Sequence, residues 1–154
     1  VRGLVAPIVQ ADVWWNSERP FDGTALQSSV DSGRTWQLVG TAATGTNWYN
    51  LANIFSNPGG TSEGWSGRGA TGSGGWVNAE HPITNLAGEP DVRFRFVFGS
   101  DGSVTDDGFA FDNFTIYETP PEDGGVQAVT APTNGCNMSA TETVTITVAS
   151  IPIL

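Results

Sequence analysis

Five acidic residues stand in two glycine-containing stretches: Glu18 and Asp22 in SERPFDG, and Asp106, Asp107 and Asp112 in DDGFAFD. Carboxylates offered from loops beside backbone carbonyls suit a hard cation, and Ca²⁺ gathers roughly six to eight such oxygens. Asp101 adds a further acid just upstream. The same residues also read as a solvated acidic surface with turn-forming aspartates. Trp14, Trp48, Tyr49 and Trp65 are a second source of chemistry, since rings on strand faces or in loops can stack on sugars while nearby Asn, Asp and Arg bind hydroxyls. The competing reading has these rings plug loops onto a sandwich.

The sharpest local motif is SVDSGRTW, in which Ser29, Asp31, Gly33 and Trp36 match the Asp-box pattern Ser-x-Asp-x-Gly-x-Thr-Trp. The aspartate accepts backbone N–H bonds within a hairpin. Glycine supplies a positive φ, and the tryptophan packs under the turn. We read this motif as structural.

Catalysis finds little support. Two carboxylates at glycosidase spacing could be drawn from the acids, as from many acidic loops. A Ser-His-Asp triad would need His81, the only histidine, which precedes Pro82. No Cys/His cluster is present for zinc, and no glycine-rich phosphate loop opens a helix. The chain is therefore expected not to be an enzyme.

The residues that carry this chemistry sit in a chain of 154 residues with 20 glycines, 9 prolines and only 14% charged residues. Six tryptophans and eight phenylalanines argue against disorder. The net charge is −10, and all six basic residues are arginine. Nucleic-acid and anionic-membrane binding both need a basic face, so neither is expected. No stretch approaches the roughly 18 apolar residues of a membrane span. Cys136 has no second cysteine to pair with, and the sequons at Asn113 and Asn137 are read as chance.

Period-2 patterning marks strands at residues 8–16, 24–30, 35–39, 76–83, 92–98 and 109–117. The first places Val9, Ala11, Val13 and Trp15 on one face. The fifth places Val92, Phe94, Phe96 and Phe98 toward a core and Arg93 and Arg95 outward. Residues 40–75 read as long glycine-rich loops. The segment 119–125, with Pro-Pro and Gly-Gly among acids, reads as a linker. Two further strands follow it, at residues 125–132 and 141–149.

Taken in order, WWNSERPFDGTALQSSVDSGRTW, NWYN, GWSGRG and VRFRFVFGSDGSVTDDGFAFDNFTIYE resemble a bacterial MAM-like jelly-roll module. Such modules occur in large secreted and surface proteins of the Bacteroidota, many exported by type IX secretion. The resemblance implies an all-β, two-sheet antiparallel jelly-roll sandwich over residues 1–118, with a linker at 119–125. It also implies a structural Ca²⁺ between the first loop and the last strand, with Glu18, Asp22 and Asp112 as ligands and Asp106 or Asp107 as further ones. The tail, residues 126–154, looks like the first strands of an Ig-like adhesion-related repeat. Both ends read as cuts, and the opening strand of the module reads as absent, leaving an edge that another chain could pair. The expected function is an extracellular or outer-surface adhesion or carbohydrate-binding module. Its partners would be glycans, other cell-surface proteins or neighbouring domains of the same polypeptide. The alternative is a spacer domain of a secreted hydrolase such as a protease.

Overall fold

The structure, a computed structural model, describes residues 1–119, 123–131, 141 and 143–151. It is all-β apart from three short 3-10 turns among the described residues. The chain divides into two units, Val1–Thr119 and Pro120–Leu154.

The first unit holds two three-stranded sheets, both antiparallel. In one, β1 (Pro7–Asn16) lies between β4 (Val77–Pro82) and β6 (Gly108–Glu118). In the other, β2 (Gly23–Ser29) lies between β3 (Gln37–Leu38) and β5 (Arg93–Gly99). Alternation along β1 buries Val9, Ala11, Val13 and Trp15, each at most 8% exposed. These side chains join Ala25 and Leu26 of the second sheet in one core, so the sheets pack as a sandwich. Burying each large apolar side chain contributes roughly 1.5–3 kcal/mol.

β2 is buried at every position. Its inward side meets the core, while the loop after β3 covers the other: Gln27 donates to the Gly59 carbonyl at 2.9 Å. That loop wraps the sandwich and is tied down by its rings. Trp65 pairs edge-on with Trp48 at 5.0 Å and Tyr49 at 4.7 Å, and stacks on Phe109 at 5.7 Å. Their polar atoms are matched too. Trp48 Nε1 donates to the Val39 carbonyl, Trp65 Nε1 to the Asn47 carbonyl, and Tyr49 Oη bonds both backbone groups of Leu26.

Three expectations need correcting. The strand read at residues 35–39 shrinks to Gln37–Leu38, because Asp31 binds the Thr35 amide and hydroxyl and holds the turn open to that point. Phe98 points inward by alternation yet is 48% exposed, because no strand lies beyond β5 among the described residues. Arg95 points away from the core but is not simply solvated. Its guanidinium lies 4.1 Å from the Trp36 ring centroid and donates twice to Gln27 Oε1.

In the second unit, β7 (Asp123–Ala131) pairs antiparallel with β8 (Thr145–Ile151), with two register shifts. β7 thus begins within the segment read as linker. Cys136 and Asn137 lie outside the described residues.

Candidate functional site

Alternation that buries Val13 and Ala11 of β1 turns Gln10, Asp12 and Trp14 to the opposite, outer face of the β4-β1-β6 sheet. Register fixes their neighbours. Asp12 lies between Asn78 of β4 and Asp112 of β6, and Gln10 lies between Glu80 and Thr115. A β-bulge between Gln10 and Asp12 breaks the pairing with β6, and Asn113 there takes a positive φ of 50°.

The result is a lattice of amides, carboxylates and hydroxyls. Gln10 Nε2 donates to Asn78 Oδ1 at 3.0 Å and to Glu80 Oε1 at 2.9 Å. Asn78 Nδ2 and Asn113 Nδ2 each donate to one oxygen of Asp12, at 2.9 and 2.7 Å. The Thr115 hydroxyl donates to Gln10 Oε1 and the Tyr117 phenol to Glu80 Oε1. These amides, Asn113 first and Asn78 next, hold the Asp12 carboxyl below its ordinary range. Tyr117 is pushed up, chiefly by desolvation and further by its Glu80 partner.

Aromatic rings flank this lattice. Trp14 follows Asp12 on the same face, half-buried over a hollow of about 210 Å³ lined by Asn16, Gly69, Gly72 and Gly74. Trp76 precedes Val77, whose partner is Val13, so alternation puts it on the outer side, where it is 59% exposed. Rings beside fixed donors and acceptors are what a sugar needs, since its C–H faces stack and its hydroxyls both give and accept hydrogen bonds.

The four rings singled out in the sequence therefore separate. Trp14 stands on this face. Trp48, Tyr49 and Trp65 do not: at 5%, 3% and 1% exposed they are core side chains, which corrects their reading as surface stacking platforms. Apolar area that large, with every N–H and O–H matched by a backbone group, gains more from burial than from display. Burial also pushes the Tyr49 phenol far up. Trp76 was missed as a site residue, although its place two residues before the outward Asn78 marks its face.

The five acids separate only in part: Asp22, Asp106 and Asp107 line one cleft of about 600 Å³ together with Asp101, whereas Asp112 does not. Asp22 is 3% exposed, and its Oδ1 accepts the Asp101 amide at 2.9 Å. Glu18 Oε2 is buried without a hydrogen-bond partner, as is the hydroxyl of Thr24. Asp106 instead pairs with Arg68 at 3.1 Å, and Asp107 accepts from Asn16 Nδ2 at 2.9 Å. Asp112 pairs with Asp12, whereas the first loop leaves β1 at Asn16, opposite Gly108. Four residues of strand, about 13 Å, separate Asp112 from that point, so it does not join Glu18 and Asp22. No group of three or more carboxylate, histidine or cysteine side chains converges on a metal position among the described residues.

The Asp-box residues close the β2–β3 hairpin. The Ser29 hydroxyl bonds Asp31 Oδ1 at 2.7 Å and accepts the Gly33 amide at 2.9 Å. Trp36 Nε1 donates to the Gly33 carbonyl, and Gly33 takes a φ of 91°. His81 lies at the far end of β4, away from Asp12. Its Nδ1 bonds the Pro82 carbonyl and its Nε2 the Thr44 hydroxyl. Burial lowers its basicity. Comparison with family models, curated proteins and solved structures finds no match, so the functional argument rests on the chain's own residues.

Proposed function

We propose that residues 1–118 are a non-catalytic carbohydrate-binding or adhesion module of jelly-roll type, carried by a secreted or outer-surface bacterial protein. Residues 126–154 would then open an Ig-like domain. The observation that carries the reading is the outer face of the β4-β1-β6 sheet, where a hydrogen-bonded lattice of Gln10, Asp12, Asn78, Glu80 and Asn113 lies beside Trp14 and Trp76. Its side chains are locked by one another, so little rotamer freedom remains to be lost on binding. A general acid would need a raised carboxyl pKa, and Asp12 is held the other way.

Calcium belongs to this reading as a structural ion. Asp22 and the Thr24 hydroxyl, which line one cleft, would hold it together with Glu18 of the same loop; the Thr24 hydroxyl and Glu18 Oε2 are buried without hydrogen-bond partners, and Asp22 is itself buried. A bound cation would neutralise those carboxylates and tie the first loop to β2.

The deciding experiment screens the chain against immobilised glycans and repeats any hit with Trp14→Ala and Trp76→Ala. Each substitution should weaken binding up to about tenfold, from loss of a ring contact of roughly 0.5–1.5 kcal/mol. Failure to bind any glycan would leave a spacer beside a secreted hydrolase as the better account. Binding unchanged in both variants would remove this face from the proposal. For calcium, about 2 mM ion acting at a site of about 0.1 mM affinity adds roughly 1.8 kcal/mol. The melting temperature should then rise by several degrees, and the rise should vanish in Asp22→Asn. An unchanged melt would remove calcium.

A further inference from the structure

β5 and β6 are the outermost strands of their sheets, and among the described residues nothing pairs with the far edge of either. Their inner faces meet in a seam of phenylalanines. Phe96 stacks on Phe111 at 4.3 Å and contacts Phe109 at 5.3 Å, while Phe94 meets Phe114 at 5.6 Å. Phe98 and Phe111 belong to this inner layer, opposite Thr24 and Val13, both nearly or fully buried. Yet they are 48% and 52% exposed. Inner-face rings at two unpaired edges define a gap in the sandwich wall, as an outward patch would not.

The charge around the gap says what fits it. Asp101, Asp106 and Asp107 line the mouth of the adjoining cleft, and Asp112 stands exposed on β6. Three arginines are engaged, Arg68 with Asp106, Arg93 with the Ser32 carbonyl, and Arg95 with Gln27 and Trp36, and Arg19 stands exposed in the first loop against the three carboxylates of Asp101, Asp107 and Asp112. The unmatched charge is therefore negative and lies on the β6 side. A second copy would bring acid against acid, in a chain whose net charge is already −10.

We infer that the free edge of β6 is a docking site for an extended basic segment of a partner protein, added as a further strand. Its apolar side chains at every second position would cover Phe98 and Phe111, arginine or lysine on the alternate, outward positions would face Asp112, and the acidic mouth at the start of β6 would add attraction for a basic end of the segment. Main-chain hydrogen bonds would supply affinity, and the rings and acids would supply selectivity. This site takes up the inner face and the edge of the sandwich, and it meets the outer-face lattice only at Asp112, the register partner of Asp12.

The probe is a labelled synthetic peptide of about ten residues in which valine alternates with threonine and two threonines are replaced by arginine. Controls are the same peptide with glutamate for arginine and an order-scrambled version. Fluorescence anisotropy should show saturable binding of the arginine peptide, with the glutamate and scrambled peptides about tenfold or more weaker. Amide exchange should slow at residues 109–112. Phe111→Thr should abolish binding. Asp112→Asn, at an exposed position that keeps the fold, should weaken it about two- to fivefold. The inference is overturned if the glutamate peptide binds equally well, or if the β6 edge gains no protection at about 1 mM peptide. It is equally overturned if light scattering shows that the chain alone dimerises through Phe111.

Discussion

Replacing Tyr49 by phenylalanine removes one oxygen and leaves the ring in place. That oxygen accepts the Leu26 amide at 2.9 Å and donates to the Leu26 carbonyl at 3.0 Å. The carbonyl keeps a second partner in the Val39 amide. The amide does not, and Leu26 is fully buried in the middle of β2. An orphaned buried donor costs about 1–3 kcal/mol. The lost donation to a carbonyl that remains bonded adds a few tenths, so Tyr49→Phe should cost about 2 kcal/mol. For a unit of this size the melting temperature should fall by roughly 6–10 °C. The urea midpoint should drop by about 1 M with the slope unchanged. Far-ultraviolet circular dichroism followed through a urea titration measures both quantities. A loss below about 0.5 kcal/mol would refute the reasoning, because the hydroxyl would then not be the clamp between the long loop and β2. Glycan binding, if present, should be unaffected, since no part of this side chain reaches the outer face.

Two other perturbations test separate parts of the fold. The Asp31 carboxyl is held well below its ordinary value of about 3.9, chiefly by the Thr35 amide, then by the Thr35 and Ser29 hydroxyls. A depressed folded-state pKa gives stability that is fully present above the unfolded value and lost as pH falls through the folded one. The stability gap between the wild type and Asp31→Asn should therefore narrow steadily below about pH 4, and urea midpoints showing a gap equal at neutral pH and in acid would contradict it. Gly64→Ala would drive a methyl group into the Thr24 carbonyl, on the backbone of the central strand. It should cost on the order of 1–3 kcal/mol, whereas Gly75→Ala, with open space around it, should stay within about 0.5 kcal/mol in the same melt.

Local rules made part of this molecule legible in the sequence. The alternation of Val9, Ala11, Val13 and Trp15 names the buried face of β1 without any long-range information, because one period governs every residue. The outcome for Trp48, Tyr49 and Trp65 could not be read that way. They lie in a segment with no period, and whether a ring in such a segment faces water or the core depends on where the loop is pinned. The pins are single backbone groups, Val39, Leu26 and Asn47, that no spacing rule identifies. The acids failed as a set for a different reason. Asp112 is close to Asp106 and Asp107 in sequence, but strand register, not sequence distance, decides which loop it meets, and register carries it up β6 to Asp12. The outer-face lattice was equally hidden, since Gln10, Asn78 and Asn113 become neighbours only once three strands are in order. Phe98 shows the opposite case: its inward direction was readable, and its exposure was not, because exposure depends on what stands beyond the edge.

The tryptophans divide into two populations that light can tell apart. Trp15, Trp48 and Trp65 are at most 8% exposed, while Trp14 and Trp36 are part-exposed and Trp76 is 59% exposed. Emission from the first set should be blue-shifted and shielded from an aqueous quencher such as acrylamide. Emission from the second should be red-shifted and quenched readily. A ligand settling on Trp14 and Trp76 would protect only the red component, and loss of the loop's anchorage would redden the blue one. The protein thus carries two intrinsic optical channels, one reporting occupancy of its outer face and the other the integrity of its interior, readable from the same sample without a label.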